Sequence, residues 1–280
     1  VIIEVLDARL PQSSTNPLVD TLRKGKPAIK LLNKSDLADP ARTKEWLDYF
    51  NAQPDTMAVA LDYEQKKQIN RIPDLCKKMA PSRSNADRPV RAMIMGIPNV
   101  GKSTMINALL GRRIAKVGNE PAVTKSQTRF TSKNGMALSD TPGILWPKIE
   151  DKDSGYRLAA SGAIKDTAID YEDVALFAAG FMLSDYSERT QERYKLKALP
   201  ERADQLLEEI GRKRGGLRPG GVIDMHKASE VLLHEMRSGK LGRLTFETVA
   251  EWEEKHRLAE IARLEAEAAA LAEAEQQEQK

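Results

Sequence analysis

Cysteine, aromatic residues and long apolar runs are scarce in this 280-residue chain. The single cysteine, Cys76, excludes an internal disulfide and favours a reducing compartment, and we interpret it as a small buried residue of a helix. No apolar run reaches the length of a membrane span. The three histidines, His226, His234 and His256, are too scattered for a zinc site. We therefore expect a cytoplasmic protein that makes no contact with membranes, and we also expect a monomer.

Charge is distributed unevenly along the chain. The net charge is +3, yet residues 247–280 contain ten acids against four bases and so carry −6. The other 246 residues therefore carry +9, which favours a polyanionic partner. From about residue 250 the sequence is rich in Ala and Glu. This composition predicts a solvated acidic helix or a frayed tail, with a coiled coil as the alternative.

The first half of the sequence alternates between short β-branched stretches and helical patterns. Strands are predicted at residues 1–6, 27–32, 56–60 and 90–95, and a hairpin over 129–139 around Asn134-Gly135. Helices are predicted at residues 17–22, 40–50, 64–79 and 103–110. This alternation predicts an α/β domain with a mainly parallel sheet. Because the sequence starts at Val1, inside a strand and without Met, we expect residues to be missing before it.

After Pro147 the sequence favours helices alone. They are predicted at residues 171–186, 200–213 and 224–238. In the first of these, one apolar face is predicted to comprise Val174, Phe177, Ala178 and Phe181. We therefore divide the chain into an α/β domain at 1–147, a small all-α domain at 148–249 and a helical or disordered tail at 250–280.

The stretch at residues 96–103, G-I-P-N-V-G-K-S, has the spacing of a phosphate-binding loop between a strand and a helix. In such a loop, backbone N–H groups and the helix N-terminus face a phosphate chain. Lys102 is predicted to reach the β- and γ-phosphates, and the Ser103 hydroxyl to bind Mg²⁺. The same pattern alone also occurs at an ordinary strand–turn–helix corner. The predicted nucleotide contacts are Asn99, Val100, Gly101, Lys102, Ser103 and Thr104.

A second motif, Asp140-Thr141-Pro142-Gly143, follows the last predicted strand. Asp140 can hold Mg²⁺ through a water, and the Gly143 N–H can meet a γ-phosphate. An acidic turn of this length is common, so the motif has weight only beside the others.

A third motif, Asn33-Lys34-Ser35-Asp36, follows the second strand. The Asp36 carboxylate can accept from N1–H and the N2 amine of guanine, while Asn33 meets the purine edge and the Lys34 stem packs on the ring. Adenine lacks that amine and would leave the carboxylate unpaired. A solvated charged turn is the alternative for this tetrad, Ser35 included, when it is taken alone. Together the three motifs specify a site for GTP or GDP with Mg²⁺.

The order of the motifs is unusual, because the base-recognition tetrad precedes the phosphate loop. GTPases in general run from the phosphate loop through D-x-x-G to N-K-x-D. The sequence therefore predicts a circularly permuted GTPase, whose old termini are joined by the polar linker at residues 81–89. The segment after Gly143 is a γ-phosphate-sensing switch in other GTPases. Here it leads into the helical domain, so nucleotide state would shift that domain.

The sequence resembles the YlqF/RbgA family of circularly permuted GTPases, which assist assembly of the large ribosomal subunit. The resemblance covers residues 1 to about 249. It rests on the three motifs, on Asp7-Ala8-Arg9-Leu10-Pro11 and Ile144-Leu145-Trp146-Pro147, and in the helical domain on residues 162–166 and 213–216. It implies hydrolysis of GTP to GDP and phosphate by an assembly factor of the large (50S) subunit. The implied partners are rRNA and the large subunit or its precursor.

The resemblance also implies roles that spacing does not assign. Thr124 would be a second Mg²⁺ ligand, although Ser126 and Thr128 compete for that role. Asn99 would hold a K⁺ ion. The catalytic residues would be Lys102, Thr124 and Gly143. Further guanine contacts would come from Leu61 and Asp62, where the Ser/Ala-rich signature of the family is degenerate. The family's N-terminal segment, with a histidine proposed to help hydrolysis, has no counterpart here.

Intrinsic turnover is expected to be slow. GTPases of the Ras type place a Gln directly after the D-x-x-G glycine to orient the attacking water. Ile144 stands at that position and cannot do so. The expected activators are K⁺ and the assembling ribosome.

Residues 211–243 contain eight bases against three acids and predict a surface that binds RNA phosphates. The bases are Arg212, Lys213, Arg214, Arg218, Lys227, Arg237, Lys240 and Arg243. A merely solvated helical surface is the alternative. Two other functions also stay open: a nucleotide-gated RNA- or protein-binding module with negligible hydrolysis, and a GTPase that acts on tRNA.

Overall fold

The computed structural model describes residues 1–62, 66–83, 89–111, 128–131, 136–141, 143, 145–146, 149 and 151–278. Its strands are β1 (Ile2–Asp7), β2 (Ala28–Asn33), β3 (Thr56–Ala60), β4 (Arg91–Gly96), β5 (Thr128–Thr131) and β6 (Ala137–Asp140). The helices of the sheet region are α1 (Leu18–Arg23), α2 (Pro40–Asn51), α3 (Lys66–Ile69), α4 (Ile72–Met79) and α5 (Lys102–Leu110). The remaining helices are α6 (Lys152–Ser161), α7 (Tyr171–Asp185), α8 (Ser187–Tyr194), α9 (Ala203–Lys213), α10 (Met225–Arg237) and α11 (Val249–Glu278).

The six strands form one sheet in the order β3-β2-β1-β4-β6-β5. All neighbours are parallel except the edge pair β5 and β6, which is antiparallel as the predicted hairpin requires. The chain leaves β1 toward one edge and β4 toward the other, so the direction of winding reverses between these two central strands. In open parallel sheets, ligands bind at the carboxyl ends of the strands beside such a reversal.

Both faces of the sheet are covered, which explains the continuous apolar runs of its central strands. On one face, Leu6 and Leu32 pack with Trp46 and Phe50 of α2, all four essentially buried. The opposite face belongs to the larger core, which includes residues of α4 and α5. Cys76 of α4 is fully buried there, as predicted, and burial raises the pKa of its thiol to about 12.

The predicted helix over residues 64–79 is divided into α3 and α4. Pro73 occupies the first turn of α4, where its missing N–H costs nothing, but its ring is incompatible with an uninterrupted helix running through it. The other predicted helices of this half end within two residues of their expected limits. The Asn134-Gly135 turn lies outside the described residues.

Beyond residue 150 the described chain forms helices, one short 3₁₀ turn (Asp166–Ala168) and a single isolated bridge between Leu217 and Ile223. The face predicted for α7 was partly wrong. Its fully buried side chains include Ala175, Ala179 and Met182, and those of Phe177 and Phe181 are only partly buried. The small residues of α7 let α9 and α10 pack closely against it. The two phenylalanine rings lie at the edge of this contact, and the ring centroid of Phe177 is 5.1 Å from that of Tyr156 of α6. Helices α6 and α8 lack a distinct apolar pattern in the sequence and were not predicted.

The acidic tail is a helix through Glu278. Its first turns are attached to α2, where the Trp252 indole N–H donates to the Tyr49 hydroxyl at 3.0 Å. Farther along, ion pairs within the helix, such as Arg263 with Glu260, accompany exposed side chains. In the described part of the chain, no helix is both long and apolar enough to cross a membrane.

Candidate functional site

The loop at residues 96–103 leaves β4 and enters α5 at the carboxyl edge of the sheet. A Cβ on Gly96 would lie 2.6 Å from the Val5 carbonyl oxygen of β1, so the close approach of the two strands requires glycine. Asn99 and Gly101 adopt left-handed conformations, with φ of 57° and 95°. The helix begins at Lys102, so the first N–H groups of α5 face the loop. Backbone N–H groups at such a helix N-terminus can donate to an anion.

The base-recognition turn at residues 33–36 is joined to this loop by a direct hydrogen bond. Asn33 is fully buried, and its Nδ2 donates to the Val100 carbonyl at 2.5 Å. Ser35 is anchored to the end of β3, because its backbone N–H and its hydroxyl both donate to the Leu61 carbonyl, at 3.0 and 2.8 Å. Asp36 is exposed at the tip of the turn.

The two residues after β3 have different surroundings. The Leu61 side chain is buried in the core, so this residue supports the turn through its backbone. Asp62 is half-buried, and its N–H donates to Gln68 Oε1 at 3.4 Å.

The second motif also lies against the phosphate loop. The Lys102 ammonium contacts the Asp140 carboxylate, and both side chains are at least 95% buried. The Thr141 hydroxyl donates to the Ile94 carbonyl at 2.9 Å and so ties the motif to β4. A Cβ on Gly143 would lie 3.2 Å from Pro98 Cα, which places the Gly143 backbone directly on the loop.

Of the remaining predicted site residues, some lie at this edge of the sheet and others lie outside the described residues. Ser103 and Thr104 are half-buried in the first turn of α5. Asn99 Nδ2 donates to the Gly162 carbonyl at the end of α6, at 2.8 Å. Thr124 and Ile144 lie outside the described residues. Among the residues that are described, no group of three or more His, Cys, Asp or Glu forms a metal cluster.

The structure adds a charged group that the residue-level reasoning missed. Asp7, at the end of β1, accepts from Lys34 Nζ at 2.8 Å and from Arg9 Nε and Nη2 at 2.9 and 2.8 Å. Burial alone would raise the pKa of Asp7, but the charges of Arg9 and Lys34 hold it well below its ordinary value. Burial lowers the pKa of Lys34, against the attraction of Asp7. The only sequence signal was the acid at a strand end with an arginine two residues later.

All three predicted motifs therefore meet at one edge of a parallel sheet. Strand pairing sets Asp7 beside Asn33, Val5 beside Gly96, and Ile94 beside Asp140. The fold and this edge define a phosphate-loop GTPase domain in which the base-recognition turn comes first in the chain.

Comparison with known proteins agrees with this class. A family model described as 50S ribosome-binding GTPase matches residues 91–209. Ribosome biogenesis GTPase A from Priestia megaterium is 44% identical over 262 residues, which cover 91% of each chain. The protein of the same name from Thermotoga maritima is 35% identical over 246 residues, covering 88% of this chain and 85% of the relative.

Two solved structures match nearly the whole chain at 30% sequence identity. A GDP-bound structure of TM YlqF has a TM-score of 0.63 and covers 89% of this chain and 94% of its own. A GNP-bound YlqF from T. maritima has a TM-score of 0.61 and covers 88% and 91%. The chain belongs to the ribosome biogenesis GTPase A (YlqF/RbgA) family.

Proposed function

We propose that the carboxyl edge of the sheet binds a guanine nucleotide between the turn at residues 33–36 and the loop at residues 96–103. The observation that carries this proposal is the buried hydrogen bond from Asn33 to the Val100 carbonyl, which couples base recognition to phosphate binding. In this assignment, Asp36 accepts from the guanine N1–H and N2 amine, and the Lys34 stem packs on the ring. Asn33 meets the purine edge, Ser35 shapes the turn, and Leu61 and Asp62 support the turn from the end of β3. Rejection of adenine by the unpaired carboxylate would be worth about 1–3 kcal/mol.

The phosphates are assigned to the loop and to the start of α5, with contacts from Asn99, Val100, Gly101, Lys102, Ser103 and Thr104. The Ser103 hydroxyl and the Asp140 carboxylate, the latter through a water, suit Mg²⁺, because hard oxygen donors are its preferred ligands. Thr124 is proposed as a further ligand. When bound, Mg²⁺ neutralises charge on the β- and γ-phosphates. Lys102 lies against Asp140, so the group proposed for the phosphates and the group proposed for Mg²⁺ are adjacent.

The chain is a GTPase, and we propose how its own residues support hydrolysis. The catalytic set is Lys102, Thr124 and Gly143. Lys102 neutralises charge on the γ-phosphate, and the backbone N–H of Gly143 donates to it. Because Ile144 cannot orient a water, intrinsic turnover would be slow and would depend on activation. We assign that activation to the large ribosomal subunit and to a K⁺ ion at Asn99.

The biological role proposed is that of an assembly factor for the large subunit or its precursor, acting in the cytoplasm as a monomer. The proposed division is a GTPase domain at 1–147, a helical rRNA- and ribosome-binding domain at 148–249, and a tail at 250–280. Two bases of the predicted RNA surface, Arg237 and Arg243, bind carbonyls that lie far from them in the sequence. Arg237 donates to the Ala159 and Ala160 carbonyls, and Arg243 donates to backbone carbonyls of the sheet region. Arg212, Lys213 and Arg214 also have internal partners, which are Glu208, Glu209 and the Lys195 and Arg193 carbonyls. All three residues are nevertheless exposed, and their partners are local or on the surface, so this triad is the candidate for phosphate contacts.

Equilibrium binding and sedimentation test this function together. Labelled GDP should be displaced by unlabelled GTP and GDP but not by ATP, and the nucleotide-loaded protein should sediment with purified large subunits. Displacement by ATP at equal concentration would contradict the guanine assignment. Binding to tRNA without binding to large subunits would support the alternative, a GTPase that acts on tRNA. The family relationship does not favour that alternative.

A further inference from the structure

The stretch between α10 and α11 lies against the loops at the carboxyl edge of the sheet. We call residues 243–247 the docking segment. Its last four residues are buried. The Leu244 N–H donates to the Leu37 carbonyl at 2.9 Å, and the Phe246 N–H donates to the Arg9 carbonyl at 2.7 Å. The docking segment thus bonds both to the chain after β2 and to the chain after β1.

Arg243, the first residue of the docking segment, contacts the base-recognition turn itself. Its Nη2 donates to the Ser35 carbonyl and its Nε to the Ala38 carbonyl, each at 2.8 Å. From the other side, Ser35 is held by the Leu61 carbonyl. The turn is therefore fixed between the end of β3 and an arginine that follows the helical region, more than 200 residues later.

The two carbonyls that Arg243 holds flank Asp36, the residue assigned to the guanine edge. A guanidinium is a rigid planar fork, so two donors on it constrain the distance between the two carbonyls they contact. The turn needs such support, because Lys34 has a φ of 59°, a left-handed conformation that side chains other than glycine adopt at a cost. The contact at Arg243 thus bears on the direction in which the Asp36 carboxylate points.

We propose that Arg243 is a positioning residue for guanine recognition, supplied to the nucleotide site by the docking segment between α10 and α11. It touches no nucleotide itself and acts by fixing the turn that carries Asp36. This inference rests on the proposed function, because it presupposes that Asp36 accepts from guanine. By thermodynamic reciprocity, a guanine nucleotide at the turn stabilises the seated docking segment to the same extent.

The test compares GDP with IDP, whose base lacks the N2 amine and so makes one bond fewer to Asp36. Binding of both is measured for the full chain and for Arg243→Ala, Arg243→Lys and Arg193→Ala. We expect Arg243→Ala to weaken GDP binding about three- to tenfold, the effect of losing one net hydrogen bond or slightly more. IDP binding should weaken less, so the preference for GDP over IDP should fall. Arg243→Lys, which keeps the charge but offers one donor nitrogen in place of two, should be intermediate.

Arg193→Ala is the matched control. Arg193 also uses Nε and Nη2, at 3.0 and 2.5 Å, but its partner is Glu235 within the helical region. It should lower the melting temperature without changing the preference for GDP over IDP. An unchanged preference in Arg243→Ala, or an equal loss for GDP and IDP, would overturn the positioning role. If the unaltered chain binds neither nucleotide, the proposed function itself fails, and this inference fails with it.

Discussion

At the scale of single residues, Asp7 is the charged group that holds the base-recognition turn to the sheet. It is buried and accepts hydrogen bonds from two cations, Arg9 after β1 and Lys34 after β2. The bond from the Lys34 ammonium to Asp7 fixes the end of this side chain, whose stem is proposed to pack on the guanine ring. The carboxylate therefore links the stability of the fold to the geometry of the site.

Replacing Asp7 by Asn should destabilise the protein by about 3–5 kcal/mol at pH 7, because the buried Arg9 and the partly buried Lys34 lose their counter-charge. The pKa of Asp7 in the fold lies below its ordinary value of 3.8, so its charge contributes stability above about pH 4, and this contribution is lost as pH falls further. Urea unfolding from pH 7 to pH 3 should show the difference between Asp7→Asn and the unaltered chain narrowing below about pH 4.

Asp48→Asn provides the control for that experiment. Asp48 pairs with Lys44 on the surface, and both side chains are mostly exposed. Its replacement should change the free energy of unfolding by less than about 0.5 kcal/mol at every pH tested. A difference between Asp7→Asn and the unaltered chain that stays constant down to pH 3 would contradict the assignment of a low pKa to Asp7.

At the scale of elements, the site depends on the close contact of β4 with β1. Gly96→Ala would place a methyl group 2.6 Å from the Val5 carbonyl, and the backbone must shift to accommodate it. We expect a loss of about 1–3 kcal/mol of unfolding free energy, together with weaker GDP binding. Thermal unfolding and nucleotide titration measure the two effects.

Gly180→Ala makes the same chemical change in the middle of α7, where nothing lies within 4 Å of the added Cβ. It should stabilise the protein by up to about 1 kcal/mol, since alanine favours helix formation over glycine, and GDP binding should not change. A Gly96→Ala protein as stable and as tight-binding as the unaltered chain would show that the strand contact is not required.

The strands and the three motif segments could be predicted from the sequence because their signals are local. The β-branched run V-I-I-E-V at residues 1–5 predicts a strand without knowledge of its neighbours, and β1 occupies Ile2–Asp7. The break between α3 and α4 could also have been predicted, because Pro73 disfavours an uninterrupted helix through residues 64–79. Helix α8 was missed because its sequence, S-E-R-T-Q-E-R-Y, buries just Thr190 and Tyr194 and shows no apolar stripe.

Contacts across the chain explain what could not be predicted of the site. Arg243 meets Ser35 across 208 positions, and nothing near either residue signals the other. The same holds for the Asn99 side chain and the Gly162 carbonyl. Sequence reasoning therefore found which segments carry the chemistry, and the fold was needed to find the residues that hold those segments in place.

At the scale of the whole molecule, the helical region is joined to the sheet on both sides of the site. Asn99 reaches α6 from the phosphate loop, and Arg243 reaches the base-recognition turn from the far end of the helical region. A shift of the phosphate loop or of the base-recognition turn would therefore displace residues bonded to the helices that are proposed to bind rRNA. This arrangement suits a protein whose affinity for a ribosomal particle depends on whether GTP or GDP is bound.

The exposed bases at the end of α9 should contribute measurably to the affinity for large ribosomal subunits. Replacing Arg212, Lys213 and Arg214 together by Ala should weaken binding to large subunits and flatten its dependence on salt, because fewer counterions are released. Binding measured between 50 and 200 mM salt gives the slope. Replacing Arg257 and Arg263, which are exposed bases of the acidic tail, should leave the slope unchanged, because the net charge of −6 at residues 247–280 repels RNA phosphates. An equal slope for the α9 variant would remove this surface from the account.

The GTPase mechanism is tested by multiple-turnover GTP hydrolysis by the full chain, with and without purified large subunits and in K⁺ or Na⁺ buffer. We expect slow turnover by the chain alone, strong stimulation by subunits, further stimulation by K⁺ over Na⁺, and loss of activity in Lys102→Ala. Turnover that is undetectable under all four conditions, despite tight GTP binding, would contradict this mechanism and leave a nucleotide-gated binding protein as the better description.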